Sequence, residues 1–364
     1  MGSMLHDMPL AGPHDSSGML QELVRAALRS GTPLQIAGGG SKAFFGRSVS
    51  GTPLAADTHR GIISYDPCEL VLTARAGTPL REIEAALAEH NQMLAFEPPH
   101  FAESATLGGA IATGLSGPRR PYAGATRDFV LGVKLINGQG EIVTFGGQVM
   151  KNVAGFDVSR LMVGALGTLG VILEASLKVW PRPATDTTLV QHRTAAEAIE
   201  VMNIWGRRSL PLSGCWYDGD RLHIRLSGAD SAVRAARDKI GGDIPTHAQE
   251  IWLALREQSH SFFDGPLPLW RVAVPPATPP LEIPGKWLID WGGAQRWLKS
   301  DADAPSIRRV AVECGGHATL FRGGDRSGEI FHPLAPGLFE LHRRIKNAMD
   351  PKNIFNPGRM YAGL

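Results

Sequence analysis

The sequence predicts an α+β protein of two domains followed by a C-terminal helix and tail. Three observations carry this. Residues 16–183 mix helix and strand patterns with glycine-rich loops and stop at Pro181-Arg182-Pro183. Residues 184–335 then run helix, strand, strand, helix, the order of a small antiparallel α+β cap. Residues 336–364 supply a last helix, about Gly337 to Met349, leading into Asn353-Ile354-Phe355-Asn356-Pro357-Gly358-Arg359. A length of 364 residues suits two domains at roughly 150 residues each.

The elements follow in order. Asp15, Ser16 and Ser17 offer caps to a first helix, and Leu20, Leu23, Val24, Ala27 and Leu28 keep its spacing until Gly31-Thr32-Pro33. A strand over 34–36 runs into Ala37-Gly38-Gly39-Gly40-Ser41. A strand over 70–74 reaches Gly77-Thr78-Pro79, where Thr78 is expected to cap a helix with Pro79 in its first position. Segments 129–136 and 141–145 read as a hairpin across Asn137-Gly138-Gln139-Gly140. Over 171–179, Val171, Leu173, Ala175, Leu177 and Val179 alternate with Ile172, Glu174, Ser176 and Lys178, the pattern of a half-buried strand. In the cap, Thr194 and Glu197 form a capping box, and 215–217 pairs with 221–226 across Asp218-Gly219. A helix over about 231–239, strands near 270–274, 287–290 and 317–321, and a helix before Cys314 complete it.

Composition excludes several function classes. Hydrophobic residues are 43% and charged ones 20%, which supports an ordinary core. A net charge of +2 gives no basic field, so no nucleic acid is expected as a partner. No stretch approaches the ~20 apolar residues of a membrane span, and no secretory signal is read. Cys68, Cys215 and Cys314 are far apart, too few for an iron–sulfur cluster and without a disulfide framework, which favours a reducing compartment. A cytoplasmic protein is expected, meeting the inner membrane only through partners. Met1-Gly2-Ser3 ahead of Met4 reads as a cloning remnant, so residues 1–15 carry no fold expectation.

Three stretches carry chemistry. In Gly38-Gly39-Gly40-Ser41-Lys42 the glycines let successive amides point to one spot, enough donors for a pyrophosphate, though a plain turn has the same letters. The Rossmann spacing Gly38, Gly40, Ala43 is rejected, because Gly46, Gly51 and Pro53 break the crossover helix it needs. Between 104 and 114, Gly108, Gly109, Ala112 and Gly114 let backbone approach a flat ligand, with hydroxyls from Thr106 and Thr113; a packed Gly/Ala turn is the alternative. Lys151-Asn152-Val153-Ala154-Gly155-Phe156-Asp157 precedes Gly164, Gly167 and Gly170, which punctuate the approach to the 171–179 strand.

In this order, with Asn356-Pro357-Gly358 at the end, the pieces resemble the PCMH-type FAD-binding domains of the vanillyl-alcohol-oxidase class, over residues 20–183 and 350–361. Gly117-Pro118-Arg119-Arg120-Pro121, Ile289-Asp290-Trp291-Gly292-Gly293-Ala294 and Gly315-Gly316-His317-Ala318-Thr319 are similar to the FAD-binding subunits of glycolate oxidases. The resemblance implies a two-part FAD domain with the pyrophosphate on Gly38, Gly39, Gly40, Ser41 and Lys42. Pro98, Pro99, Thr106, Gly108, Gly109, Ala112, Thr113 and Gly114 would line the flavin and ribityl chain, and Gly170, Val171 and Ile172 the adenine side. Asn356 would approach the isoalloxazine ring from the tail. Relatives with covalent FAD place a His where Gly40 stands, so non-covalent FAD is implied. A larger FAD-containing subunit and an iron–sulfur subunit are the implied partners, and glycolate or a similar 2-hydroxy acid the implied substrate.

Such an oxidation needs a cation for the carboxylate, a base for the hydroxyl proton and a flavin to take hydride. Arg271 and Arg359 are the candidate clamps, with Arg322 a third; ordinary salt-bridged arginines are the alternative. His317 is the candidate base, with His332 near it, against a structural role for either. The acid-plus-His metal cluster of catalytic relatives is not found, so no metal is expected. Together with the short second domain this favours a subunit of a complex over a self-sufficient dehydrogenase. A non-catalytic assembly subunit that keeps the FAD fold stays open.

Overall fold

The computed structural model describes residues 14–147 and 156–364, so the readings of Met1-Gly2-Ser3 and of the 151–155 motif lie outside the described residues. In the first half, α1 (Ser17–Ser30) leads to β1 (Leu34–Ala37), β2 (Thr52–Ala55), β3 (Ile62–Asp66), β4 (Val71–Arg75), α2 (Leu80–Glu89) and β5 (Gln92–Met93). Then come α3 (Leu107–Thr113), α4 (Arg120–Ala123), α5 (Thr126–Phe129), β6 (Val130–Ile136), β7 (Ile142–Gly146), α6 (Phe156–Leu161), β8 (Val171–Lys178) and β9 (Trp180–Pro181). The second half runs β10 (Thr185–His192), α7 (Ala195–Gly206), β11 (Leu212–Tyr217), β12 (Arg221–Gly228), α8 (Asp230–Ile240) and α9 (Ala248–Glu257). It closes with β13 (Leu269–Ala273), β14 (Lys286–Asp290), β15 (Gln295–Lys299), α10 (Ala304–Glu313), β16 (His317–Arg322) and α11 (Pro336–Met349).

The first half holds a parallel pair, β1 with β2, and a five-stranded antiparallel sheet in the order β3-β4-β8-β6-β7. β8 is its middle strand. The half-buried expectation for 171–179 is therefore corrected: both faces are covered, and only Glu174 and Lys178 keep partial exposure. Thr78 does not cap α2. Its hydroxyl accepts from the Gly61 amide at 2.9 Å, and Pro79 sits just before the helix. α1 starts as read: the Asp15 carboxylate accepts from the Ser17 hydroxyl and amide, which holds its pKa down at about 2.

The expected antiparallel cap is a seven-stranded sheet, β10-β12-β11-β14-β15-β13-β16. The Thr194–Glu197 capping box forms in full. One face packs on α10, where Trp270, Val272 and Leu298 meet Ile307 and Ala311. The opposite face carries Arg271, paired across the ladder with Trp297 and Thr319. It meets the first half through a shared core of Phe45, Leu115, Leu166, Trp297 and Phe321.

Charge locks the halves together. Glu97 accepts from the Arg119 amide at 2.9 Å and pairs with Arg225 at 2.9 Å, while Arg119 also reaches Asp186 at 3.5 Å. Burial alone would raise the Glu97 carboxyl, but the guanidiniums of Arg225 and Arg119 hold it below the usual range. Among the described residues no helix is long and apolar enough to cross a membrane.

Candidate functional site

The end of β1, the start of α3, the loop before β8 and the C-terminal tail enclose an open cleft of about 170 Å³. It brings together Gly38, Gly39, Gly40, Ser41, Lys42, Thr106, Gly108, Gly109, Ala112, Thr113, Gly170, Ile172 and Asn356. Gly114, Val171, Pro98 and Pro99 are not on its wall. Gly114 is the left-handed C-cap of α3, and Val171 is fully buried beside Leu34 and Ile354. Pro98 is buried, and Pro99 lines a second cavity. Gly167, read as punctuation before the 171–179 strand, also lines the cleft with Leu166, and so does Phe45, which nothing in its local spacing marks.

The loop fits tightly because its glycines lack a side chain. A Cβ on Gly39 would fall inside the carbonyl oxygen of Ser104, and one on Gly38 would lie 2.5 Å from the Thr106 hydroxyl oxygen. Ser104 Oγ donates to the Gly39 carbonyl at 2.5 Å, and Thr106 Oγ1 accepts from the Gly109 amide at 3.3 Å. At Gly40, φ is 75° and a Cβ would meet open space. Among the described residues, the amides of Gly38, Gly39, Gly40, Ser41 and Lys42 have no protein acceptor.

Lys42 sits beside these free amides. It is buried, and its ammonium donates to Ser41 Oγ and the His100 carbonyl, each at 3.2 Å, without an ion-pair partner among the described residues. Burial lowers its pKa to about 8, with Glu257 acting in the opposite sense, so it is charged at neutral pH. Orphan amides plus an unpaired cation fit a diphosphate, the anionic centre of FAD.

Two predicted residues on the cleft wall are engaged by backbone. The Asn356 side chain joins parts of that wall. Its Oδ1 accepts from the Ile36 amide at 2.8 Å and its Nδ2 donates to the Leu166 carbonyl at 2.7 Å, so it clamps the tail to two cleft walls. Arg359 lines the cleft but is no free carboxylate clamp. Its guanidinium donates to the carbonyls of Arg47 at 2.9 Å, Ala43 at 2.8 Å and Phe45 at 2.6 Å.

Arg271 lies in a second, small cavity, of about 30 Å³, with Pro99, Phe101, Gln258, Asp290, Gln295 and Trp297. Among the described residues its guanidinium has no hydrogen bond and no ion pair. It stands 5.8 Å from the centroid of Phe45 and 5.9 Å from that of Phe321. Phe45 also lines the cleft, so the Arg271 guanidinium lies against a ring of the cleft wall. Burial, then Arg120, pulls its pKa to about 10, leaving it a cation. His317 is exposed and lines neither space; burial, then Arg271, lowers its pKa, and its ring is 6.3 Å from that of His332. Arg322 stacks on Phe44 at 4.5 Å and Phe101 at 5.4 Å, also outside both spaces. No group of three or more His, Cys, Asp or Glu converges among the described residues.

The family model "FAD binding domain" matches residues 14–146, and "FAD linked oxidases, C-terminal domain" matches residues 323–360. The glycolate oxidase subunit GlcE of Escherichia coli (strain K12) is 51% identical over 96% of this chain and 99% of its own length. The chain belongs to the GlcE family of FAD-linked oxidases. Members of this family are FAD-dependent oxidoreductases, and FAD is the cofactor of this chain. A D-lactate dehydrogenase of Archaeoglobus fulgidus is 27% identical over 96% of this chain and 90% of that protein. The solved structure of an alkyldihydroxyacetonephosphate synthase shares the fold at TM-score 0.67 and 18% identity, over 95% of this chain and 76% of that one.

Proposed function

We propose that this chain is the FAD-binding subunit of a complex that oxidises glycolate or a similar small 2-hydroxy acid to the 2-oxo acid. The observation that carries the reading is Arg271, a cation without an acid partner in a small cavity, near the Phe45 ring that lines the cleft. A planar guanidinium there binds a carboxylate through two parallel hydrogen bonds. The names of the GlcE and D-lactate dehydrogenase relatives point to the same substrate class. FAD, when bound, supplies a two-electron acceptor. Its diphosphate would rest on Gly38, Gly39, Gly40, Ser41 and Lys42, with Thr106, Gly108, Gly109, Ala112 and Thr113 along the flavin and ribityl side and Gly170 and Ile172 toward the adenine.

Electrons would leave to an iron–sulfur subunit beside a larger FAD-containing subunit. This chain has three cysteines, Cys68 exposed, Cys215 buried and Cys314 between, which are too few and too scattered for a cluster. The test is anaerobic addition of glycolate to the assembled, flavin-loaded complex. Bleaching of the flavin and reduction of an artificial acceptor are expected, and Arg271→Gln in this subunit should lower kcat/KM by about tenfold or more. Wild-type kcat/KM in that variant would overturn the clamp. Equal rates from the isolated chain would instead make it a complete dehydrogenase.

The flavin should be held without a covalent bond. No His, Cys or Tyr stands on the described wall of the cleft, and Gly40 offers no side chain. Acid or heat precipitation should leave the yellow colour in the supernatant. Colour that stays with the pellet would refute this.

A further inference from the structure

We infer that Asp290 is the proton-holding group of the Arg271 cavity, placed to accept the hydroxyl proton of an acid whose carboxylate Arg271 binds. The inference rests on the 2-hydroxy-acid reading and assigns that site a second reacting residue. Asp290 ends β14 and is 3% exposed. Its Oδ1 accepts from the Trp291 amide at 2.7 Å and its Oδ2 from Gln295 Nε2 at 3.1 Å. Among the described residues it has no ion-pair partner. A buried carboxylate and a half-buried arginine thus line one cavity without touching. A structural pair would close on itself, because each isolated buried charge costs several kcal/mol. Something that meets both belongs between them.

A third group on the wall narrows what that is. Gln258, the left-handed C-cap of α9, is 8% exposed and has a buried Oε1 without a donor. Arg256, also on the wall, is paired with Glu84 and Glu257, so the cavity offers one unpaired cation and two acceptor groups. A small carboxylate that also carries an O–H satisfies the set: its oxygens take Arg271, and its hydroxyl donates to Asp290 or Gln258. A carboxylate without an O–H leaves both acceptors unmet.

The surroundings leave Asp290 free to change protonation state. Burial pushes its pKa up to about 7, while the Trp291 amide and Gln295 pull down, Glu97 pushes up and Arg225 pulls down. Its charge acts on Tyr122 and Cys215, and Arg271 and Arg256 line the same cavity. At neutral pH the ionised and neutral forms are both populated, the condition for accepting and releasing a proton.

Oxalate tests this, since it has two carboxylates and no O–H. Its binding to the full-length, flavin-loaded chain can be followed by calorimetry in buffers of different ionisation enthalpy and by perturbation of the flavin spectrum. A second carboxylate beside Asp290 is tolerated only when Asp290 is neutral. Wild-type affinity should therefore fall by about tenfold per pH unit between about pH 7 and about pH 9, with about one proton taken up on binding. Asp290→Asn should bind oxalate without that slope, and Asp290→Glu should keep the slope with a shifted midpoint. Arg271→Gln should weaken binding by about tenfold or more at every pH. A flat wild-type profile, or the wild-type slope in Asp290→Asn, overturns the role of Asp290 and leaves the Arg271 clamp standing. Absence of oxalate binding to the wild type overturns both.

Discussion

Replacing Lys346 by methionine should destabilise the protein by about 3–5 kcal/mol in denaturant unfolding. The Lys346 ammonium is 4% exposed and donates to Asp350 Oδ2 at 2.7 Å, the Thr168 carbonyl at 2.7 Å and the Phe355 carbonyl at 2.8 Å. Asp350 is fully buried and also accepts from the amides of Ile354 and Phe355. Burial lowers the Lys346 pKa, and the hydrogen bond with Asp350 acts against that. Methionine fills much of the volume but strands the Asp350 carboxylate. It also releases the tail that carries the Asn356 clamp, so FAD affinity should fall in parallel. Adding Asp350→Asn should recover part of the loss, because the stranded charge is then gone. A loss below about 1 kcal/mol in the single variant would show the pair to be dispensable.

Gly39→Val should raise the FAD dissociation constant more than about 100-fold, roughly 2.8 kcal/mol. The first obstacle is internal. The added Cβ would overlap the Ser104 carbonyl oxygen and press on Ser104 Cβ at 3.1 Å. The loop must then lift off the segment that positions Thr106, and the converging amides lose their common target. Gly40→Ala separates sterics from backbone strain, since its Cβ meets nothing within 4 Å while φ is 75°. Holding alanine in that left-handed region costs about 1–2 kcal/mol, so its effect should be smaller. Flavin fluorescence titration reads both. Wild-type affinity in Gly39→Val, with the fold intact by circular dichroism, would remove the loop from the cofactor site.

What the sequence by itself determined is what local rules govern. Periodicity and breakers placed α1, α7, α8, α11 and the β6–β7 hairpin, because each answers to its own spacing and caps. The glycine loop was legible for the same reason: a run of Cβ-free residues after a strand has few uses. β15 escaped notice because its letters, Gln295, Arg296, Lys299, look exposed. In the fold the strand is buried throughout, and its charges are met by carbonyls: Arg296 donates to those of Gly293 and Thr278, and Lys299 to those of Phe263 and Gly265. The roles of the site residues were decided only by tertiary structure. Arg271, Arg322 and Arg359 are the same side chain in sequence. Arg359 meets three carbonyls more than 300 positions away, Arg322 lies on two phenyl rings, and Arg271 alone faces a cavity with no partner. A guanidinium binds a ligand only where the fold leaves its hydrogen bonds unmade, and that depends on distant backbone which no local spacing encodes.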